Sequence, residues 1–326
     1  MPHVARFRGV LQNPARSGLP ERTTLVAFLV YVIVAGGSAI AVRTTYGELS
    51  PFWAASSRFL VASAAVWALV RFRHIPLPRG RALLGAVLFG TLTGGLAFAL
   101  ITWGLEAMPA SRYQILMATV PLLTVLFSFL HGVEAISPRR ILGSFLAVGG
   151  IALTLGRASS SQLSLECTAA ILLGAACMAE GGVVIKMFPP IPPIMTNAIG
   201  LTVGGLVLAV ASLISGEKWT IPARTSTWIA LVYLVVFASV LGFLMYIRVL
   251  SKWSASGASY AFVLSPLVTM VAASTLAGEN ITWGFLVGAG MVLAGVFVGV
   301  LLPSRKKPAV ESGCTDSHGQ VLPDCT

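Results

Sequence analysis

Charge is what this sequence has least of. Of its 326 residues, 10% are Asp, Glu, Lys or Arg, while 56% are hydrophobic; a soluble domain carries about 25% charged residues. So few ionised groups cannot cover a water-soluble globule of this size. The chain also has little that would build a metal or redox site. Its four cysteines are Cys167 and Cys177, in one apolar run, and Cys314 and Cys325, near the C-terminal end. No CxxC or mixed His/Cys cluster occurs, so no metal or other cofactor is expected. His3, His74, His131 and His318 all fall outside the apolar runs, which argues against a histidine relay inside a membrane. No phosphate-binding glycine loop is present, which excludes direct ATP use. One deep glutamate with no second acid, histidine or nucleophile beside it assembles no catalytic centre, so an enzyme is not expected.

What is present is length without charge. The apolar residues form runs of about 20, the number a helix needs to cross a hydrocarbon core of about 30 Å. Ten such runs are expected as membrane-spanning helices: 24–42, 52–70, 82–103, 110–130, 138–156, 167–186, 194–214, 227–247, 255–277 and 283–302. Ser50-Pro51 and Ser137-Pro138 look like helix starts, with a capping hydroxyl followed by a proline at the first helical position. The first 23 residues lack an apolar segment with a cleavage site and read as a cytosolic tail, not a secretory signal. The net charge of +11 does not imply a nucleic-acid partner, because the basic residues sit at the ends of the runs. Sixteen of the 22 Lys and Arg residues fall on one side if the runs alternate, and five fall on the other. The positive-inside bias then puts both termini in the cytoplasm of a multi-pass plasma-membrane protein.

The sequence also matches itself at a shift of 145 residues. Residues 104–137 lie over 249–282, with Pro121 on Pro266, Thr124 on Thr269 and Glu134 on Glu279. Further along, Gly143 meets Gly288 and Gly150 meets Gly295; upstream, Gly36-Gly37 meets Gly181-Gly182. Each copy holds five runs. An odd number makes the second copy enter from the opposite side, so the expected fold is an all-α integral membrane protein of two inverted five-helix repeats. Such architecture is typical of carriers, with the substrate site near the midplane.

The repeated pattern Ala110-Ser111, Pro121, Glu134 and Gly143, with Arg58-Phe59 early in the second run, resembles the EamA branch of the drug/metabolite transporter superfamily. Two departures stand out: Ala35-Gly36 replaces the usual Trp-Gly, and Gly132-Val133-Glu134 replaces the usual Gly-Glu. The resemblance implies a ten-helix carrier of small metabolites, often directed outward. It organises the chain as an N-terminal tail (1–23), a first EamA-like repeat (24–156), a linker (157–166), a second repeat (167–302) and a C-terminal tail (303–326). An exchanger of sugar phosphates or nucleotide sugars is the alternative carrier reading, and a channel the alternative outside carriers.

Candidate substrate-binding or coupling residues are Glu180, Arg58, Gln114 and Tyr260. Arg58 lies seven residues after Pro51, about 10 Å along the helix; it either snorkels to the boundary or offers a cation to a substrate carboxylate. Glu180 falls far from both expected span ends, where an unpaired carboxylate is costly; proton coupling, a cationic substrate group and helix packing all remain open for it. Pro121 and Pro266 each remove one backbone donor and are hinge candidates. Gly36, Gly37, Gly181 and Gly182 are hinge or close-packing positions. Gly284, Gly288, Gly295 and Gly299 form a small-residue face suited to helix contact or a homodimer. The expected partners are a small-molecule substrate, the lipid bilayer and protons.

Overall fold

The computed structural model describes residues 21–106, 113, 116–134, 138–154, 165–268 and 283–301. Every regular element among them is helical. Six helices are long and apolar enough to cross a membrane: α1 (Arg22–Tyr46), α2 (Pro51–Phe72), α3 (Arg81–Glu106), α6 (Leu165–Met187), α7 (Pro193–Ile214) and α8 (Thr225–Lys252). Between and after them lie α4 (Val120–Leu130), α5 (Pro138–Thr154), α9 (Ala255–Val268) and α10 (Trp283–Val296). Most of the two tails and of the linker, together with Gln114, Ser137, Thr269 and Glu279, lie outside the described residues; α1 begins at Arg22 and α6 at Leu165, inside the expected tail and linker.

Large apolar side chains point outward along several helices, among them Val26, Leu29 and Ile33 on α1 and Leu206, Val210 and Leu213 on α7. In water such a surface would be an association hazard; against lipid it is the expected exterior. Lipid gives helices no hydrophobic drive to associate, so close van der Waals approach must hold them together. Glycines provide it. On α2, Leu60 packs where Gly205 of α7 has no side chain, and Gly94 of α3 lies against Gly204 of α7. A Cβ on Gly150 of α5 would stand 2.6 Å from the Gly288 carbonyl, and one on Gly143 2.6 Å from the Gly295 carbonyl. Gly288 and Gly295 of α10 are therefore covered by α5 of the same chain.

Two helices change pitch midway. α3 is π-helical over Gly90–Leu96 and α8 over Leu234–Gly242. A π turn inserts one residue and re-aims its neighbours, and it often marks a functional site.

Helix starts are capped from afar. Ser50 adopts the extended backbone of an N-cap and Pro51 stands at the first turn, but the serine hydroxyl makes no capping bond. The Glu217 carboxylate does it instead, accepting from the amides of Phe52 (3.0 Å) and Trp53 (2.7 Å). The local reading of Ser50 is thus corrected: a full carboxylate meets the positive helix end better than a hydroxyl. Reciprocally, Glu48 before α2 accepts from the amides of Ala223 (2.6 Å) and Arg224 (3.2 Å) at the start of α8. The Thr227 hydroxyl, then the Ala223 amide, hold the Glu48 carboxyl below the usual carboxylate range. Trp53 stacks on Trp219 at 4.6 Å between the two caps.

At the far end of α8, 28 residues away, Glu134 does the same for α9. It accepts from the Ala255 amide (2.6 Å), the Ser256 hydroxyl and the Arg140 guanidinium. Glu134 reaches the helix that follows it, α5, through Arg140; its capping is spent on α9.

Candidate functional site

A cavity of about 1080 Å³ runs between α1, α2, α3, α8 and α9, with Tyr113 and Met178 on its wall. Its mouth is at the α1–α2 turn, where Tyr46, Gly47 and Pro51 line it with Arg43 and Glu106. Its other end is closed by rings. Tyr31 lies 5.1 Å from Tyr246 and 6.2 Å from Phe262, and Tyr246 lies 5.6 Å from Phe262, centroid to centroid. Tyr246 is six residues before the end of α8, so the ring cluster faces the Glu134 end of the bundle.

Arg58 is on the cavity wall and only 6% exposed. Its guanidinium carbon lies 4.9 Å from the Phe59 ring centroid and 5.2 Å from that of Phe98. Such cation–π contact partly replaces lost hydration. It does not satisfy the donors: the Arg58 Nε has no hydrogen-bond partner. Two hydroxyls share that condition. Thr93, 2% exposed, and Ser239, fully buried, both line the cavity and make no side-chain hydrogen bond. Thr93 comes from the π stretch of α3 and Ser239 from that of α8. A buried polar group without a partner costs about 1–3 kcal/mol, so three on one wall mark a surface prepared for something else to complete.

The other candidates fall elsewhere. Glu180 does not line the cavity. It is bound at 2.7 Å to the Nε2 of His131, the residue just past the end of α4, with the two side chains 25% and 36% exposed. The expectation of no histidine near this carboxylate is corrected. Counting residues along α6 could not register that α4 stops at Leu130 and delivers an imidazole at that level.

Tyr260 is also displaced from the expected cavity position. It is fully buried, its hydroxyl 3.0 Å from the Ser144 hydroxyl and donating to the Arg140 carbonyl at 2.9 Å. Gly143 and Gly299 leave the space its phenol fills. Gln114 lies outside the described residues.

Among the hinge candidates, Pro266 lines the cavity, while Pro121 sits in the first turn of α4, directly after an irregular turn at Ala118-Thr119. The glycine pairs mark close contacts. A Cβ on Gly36 would stand 2.7 Å from Val268, one on Gly37 would strike the Tyr233 hydroxyl, and one on Gly181 would strike Thr93.

Sequence reasoning named neither Tyr113 nor Tyr246 as a cavity residue; both line the cavity. It passed over Thr93 and Ser239 because a lone hydroxyl in an apolar run carries no signal until a π turn aims it.

The EamA-like transporter family model matches the chain twice, over residues 22–156 and 167–301. The "Uncharacterized inner membrane transporter YedA" of Escherichia coli is 30% identical over 302 residues, covering 90% of this chain and 96% of its own. The "Uncharacterized transporter YvbV" of Bacillus subtilis is 25% identical over 316 residues, covering 93% and 99%. A crystal structure 18% identical in sequence superposes with a TM-score of 0.73, over 86% of this chain and 98% of its own, a likeness of fold.

Proposed function

The chain belongs to the EamA-like transporter family, and from that premise we propose that it is a secondary carrier moving a small organic solute across the plasma membrane by alternating access. A transporter, not an enzyme, follows from the family itself. The observation that carries the carrier reading is the cavity, lined by Arg43, Tyr46, Gly47 and Glu106 at the α1–α2 end and by the ring cluster of Tyr31, Tyr246 and Phe262 toward the other.

Two inverted repeats of five spans each underlie the movement. The 145-residue self-match supports this, as do the two adjacent family matches. The π stretches support it too: Gly90–Leu96 shifted by 145 falls within Leu234–Gly242. The helix pairing has the same symmetry. α2 packs on α7 and α5 on α10, each the other's counterpart, while α3 on α6 mirrors α8 on α1. The glycine crossing is symmetric as well, since the shift exchanges the Gly143–Gly295 contact with the Gly150–Gly288 contact. With both termini cytoplasmic by the positive-inside bias, the mouth faces outward and the Glu134 cluster faces the cytoplasm. Export requires the reverse state, in which that cluster opens. Pro121, Pro266 and the four paired glycines flank the parts that must shift.

Coupling to protons runs through His131 and Glu180, which join the α4 end to α6 across the two repeats. The contact fastens the end of α4 to α6, so breaking it loosens that end of the bundle. A sugar-phosphate exchanger is a poorer fit, because the cations on the described cavity wall are Arg43 at the mouth and Arg58.

The test is flux in proteoliposomes. A carrier shows saturable uptake that rises when unlabelled solute is loaded on the far side; uptake linear in concentration, with no such stimulation, identifies a channel instead. In the same vesicles, Glu180→Gln should flatten the dependence of flux on an imposed pH gradient by up to about five-fold, the upper range for one partly exposed pair. Unchanged pH-driven flux in that variant removes the pair from coupling.

A further inference from the structure

The family membership leaves open what fills the cavity. We propose that the substrate is an organic monoanion with an aromatic or similarly flat apolar body, its carboxylate bound at Arg58. This rests on the carrier reading and adds the substrate class to it.

The charge comes first. Arg58 is a guanidinium more than nine-tenths buried, with no carboxylate paired to it among the described residues and its Nε unsatisfied on the cavity wall. A planar fork of donors set against the edge-to-face pair of Phe59 and Phe98 rings suits a carboxylate better than a spherical ion. The other charged lining groups, Arg43 and Glu106, stand at the mouth, where water screens them. Among the described residues no carboxylate lines the wall between Arg58 and the ring cluster, so an ammonium group meets no opposite charge there and shares the wall with the Arg58 cation. A cation and a zwitterion are disfavoured for that reason.

The body follows from the remaining wall. Phe98, Phe243, Tyr246, Phe262 and Tyr31 present ring faces and edges, and aromatic ligands pack on these with added attraction beyond area alone. Thr93 and Ser239, both buried and unpartnered, supply two hydrogen bonds for an acceptor or hydroxyl on the ring. One net negative charge matches one buried cation; a phosphate dianion would outmatch it.

The experiment uses the purified full chain in detergent and competition against radiolabelled phenylacetate. The competitors are phenylacetamide, which keeps shape and loses charge, and benzylamine, which inverts charge. Phenylacetate should bind at least about ten-fold more tightly than either, the value of one charge-assisted pair. Arg58→Gln should bring acid and amide to within about two-fold. Arg58→Lys, which keeps the charge but loses the fork, should retain the preference for acid with weaker binding, and so separates recognition from misfolding. Para-hydroxyphenylacetate should outcompete phenylacetate, an advantage that Ser239→Ala reduces. Benzylamine competing as well as the acid, or Arg58→Gln preserving the acid preference, overturns the anion assignment. If no acid binds while saturable exchange of other solutes persists, the assignment falls and the carrier stands. If exchange is absent for all solutes, the carrier reading falls and takes the assignment with it.

Discussion

Gly150→Val is expected to lower the thermal midpoint of the detergent-solubilised protein by several degrees, reflecting about 2–3 kcal/mol of lost stability. The reason is a backbone-to-backbone contact. The first carbon of any side chain at Gly150 would already stand 2.6 Å from the Gly288 carbonyl and 2.8 Å from the Val292 nitrogen and Cγ2. A rotamer change cannot relieve a clash with a main chain, so α5 and α10 must separate. Separation spreads along the crossing, because Gly143 and Gly295 meet with the same closeness. It also loosens the seat of Tyr260, whose phenol fills the space above Gly143 and Gly299. Gly290→Ala is the control: nothing lies within 4 Å of a Cβ there, and alanine is the better helix former by about 1 kcal/mol. That variant should melt at or above the wild-type midpoint. If Gly150→Val melts with the wild type, the two helices do not cross at this distance.

Glu134→Ala is expected to cost about 2–4 kcal/mol, between the loss of one helix cap and the breaking of a buried ion pair. The carboxylate is only 12% exposed and is shared by Arg140, the Ser256 hydroxyl and the Ala255 amide. Removing it leaves a guanidinium and the first amides of α9 without their acceptor. Glu134→Gln should recover part of the loss, since an amide oxygen still accepts from the helix start while the charge is gone. In a double-mutant cycle, Arg140→Ala should be milder in the Glu134→Ala background than in the wild type by more than about 1 kcal/mol. Additive effects would show that the two side chains act independently and that the cluster is no latch. The cluster ties the α4–α5 turn to the start of α9, so its weakening should also raise the accessibility of the closed end of the cavity.

The membrane class was legible in composition, because hydrocarbon tolerates few charges and forces backbone groups to pair within each segment. For the same reason helices were legible as runs, and six appear at the expected places with boundaries within a few residues. Arg58 could be found because a guanidinium in an apolar run is conspicuous anywhere. The orientation of each helix about its axis was not legible. A helix apolar all round has no stripe to declare which side faces a neighbour. That is why Tyr260 looked available to a ligand and is in fact tied to Ser144 and Arg140, and why Tyr113 and Tyr246, not among the candidates, line the cavity.

Partners distant along the chain were equally hidden. The acid that caps α2 lies 165 residues from Phe52, the one that caps α8 lies 175 from Ala223, and the one that caps α9 lies 121 from Ala255. Glu180 belongs with them: its depth along α6 could be counted, its imidazole could not. The sequence by itself determined a charge-poor, helical, membrane-embedded chain with an internal repeat and one conspicuous arginine, since these follow from composition and spacing along one dimension. The tertiary structure alone decided which polar groups face one another and which face an empty wall, because that depends on how helices separated by a hundred residues or more rotate and lock together through their glycines.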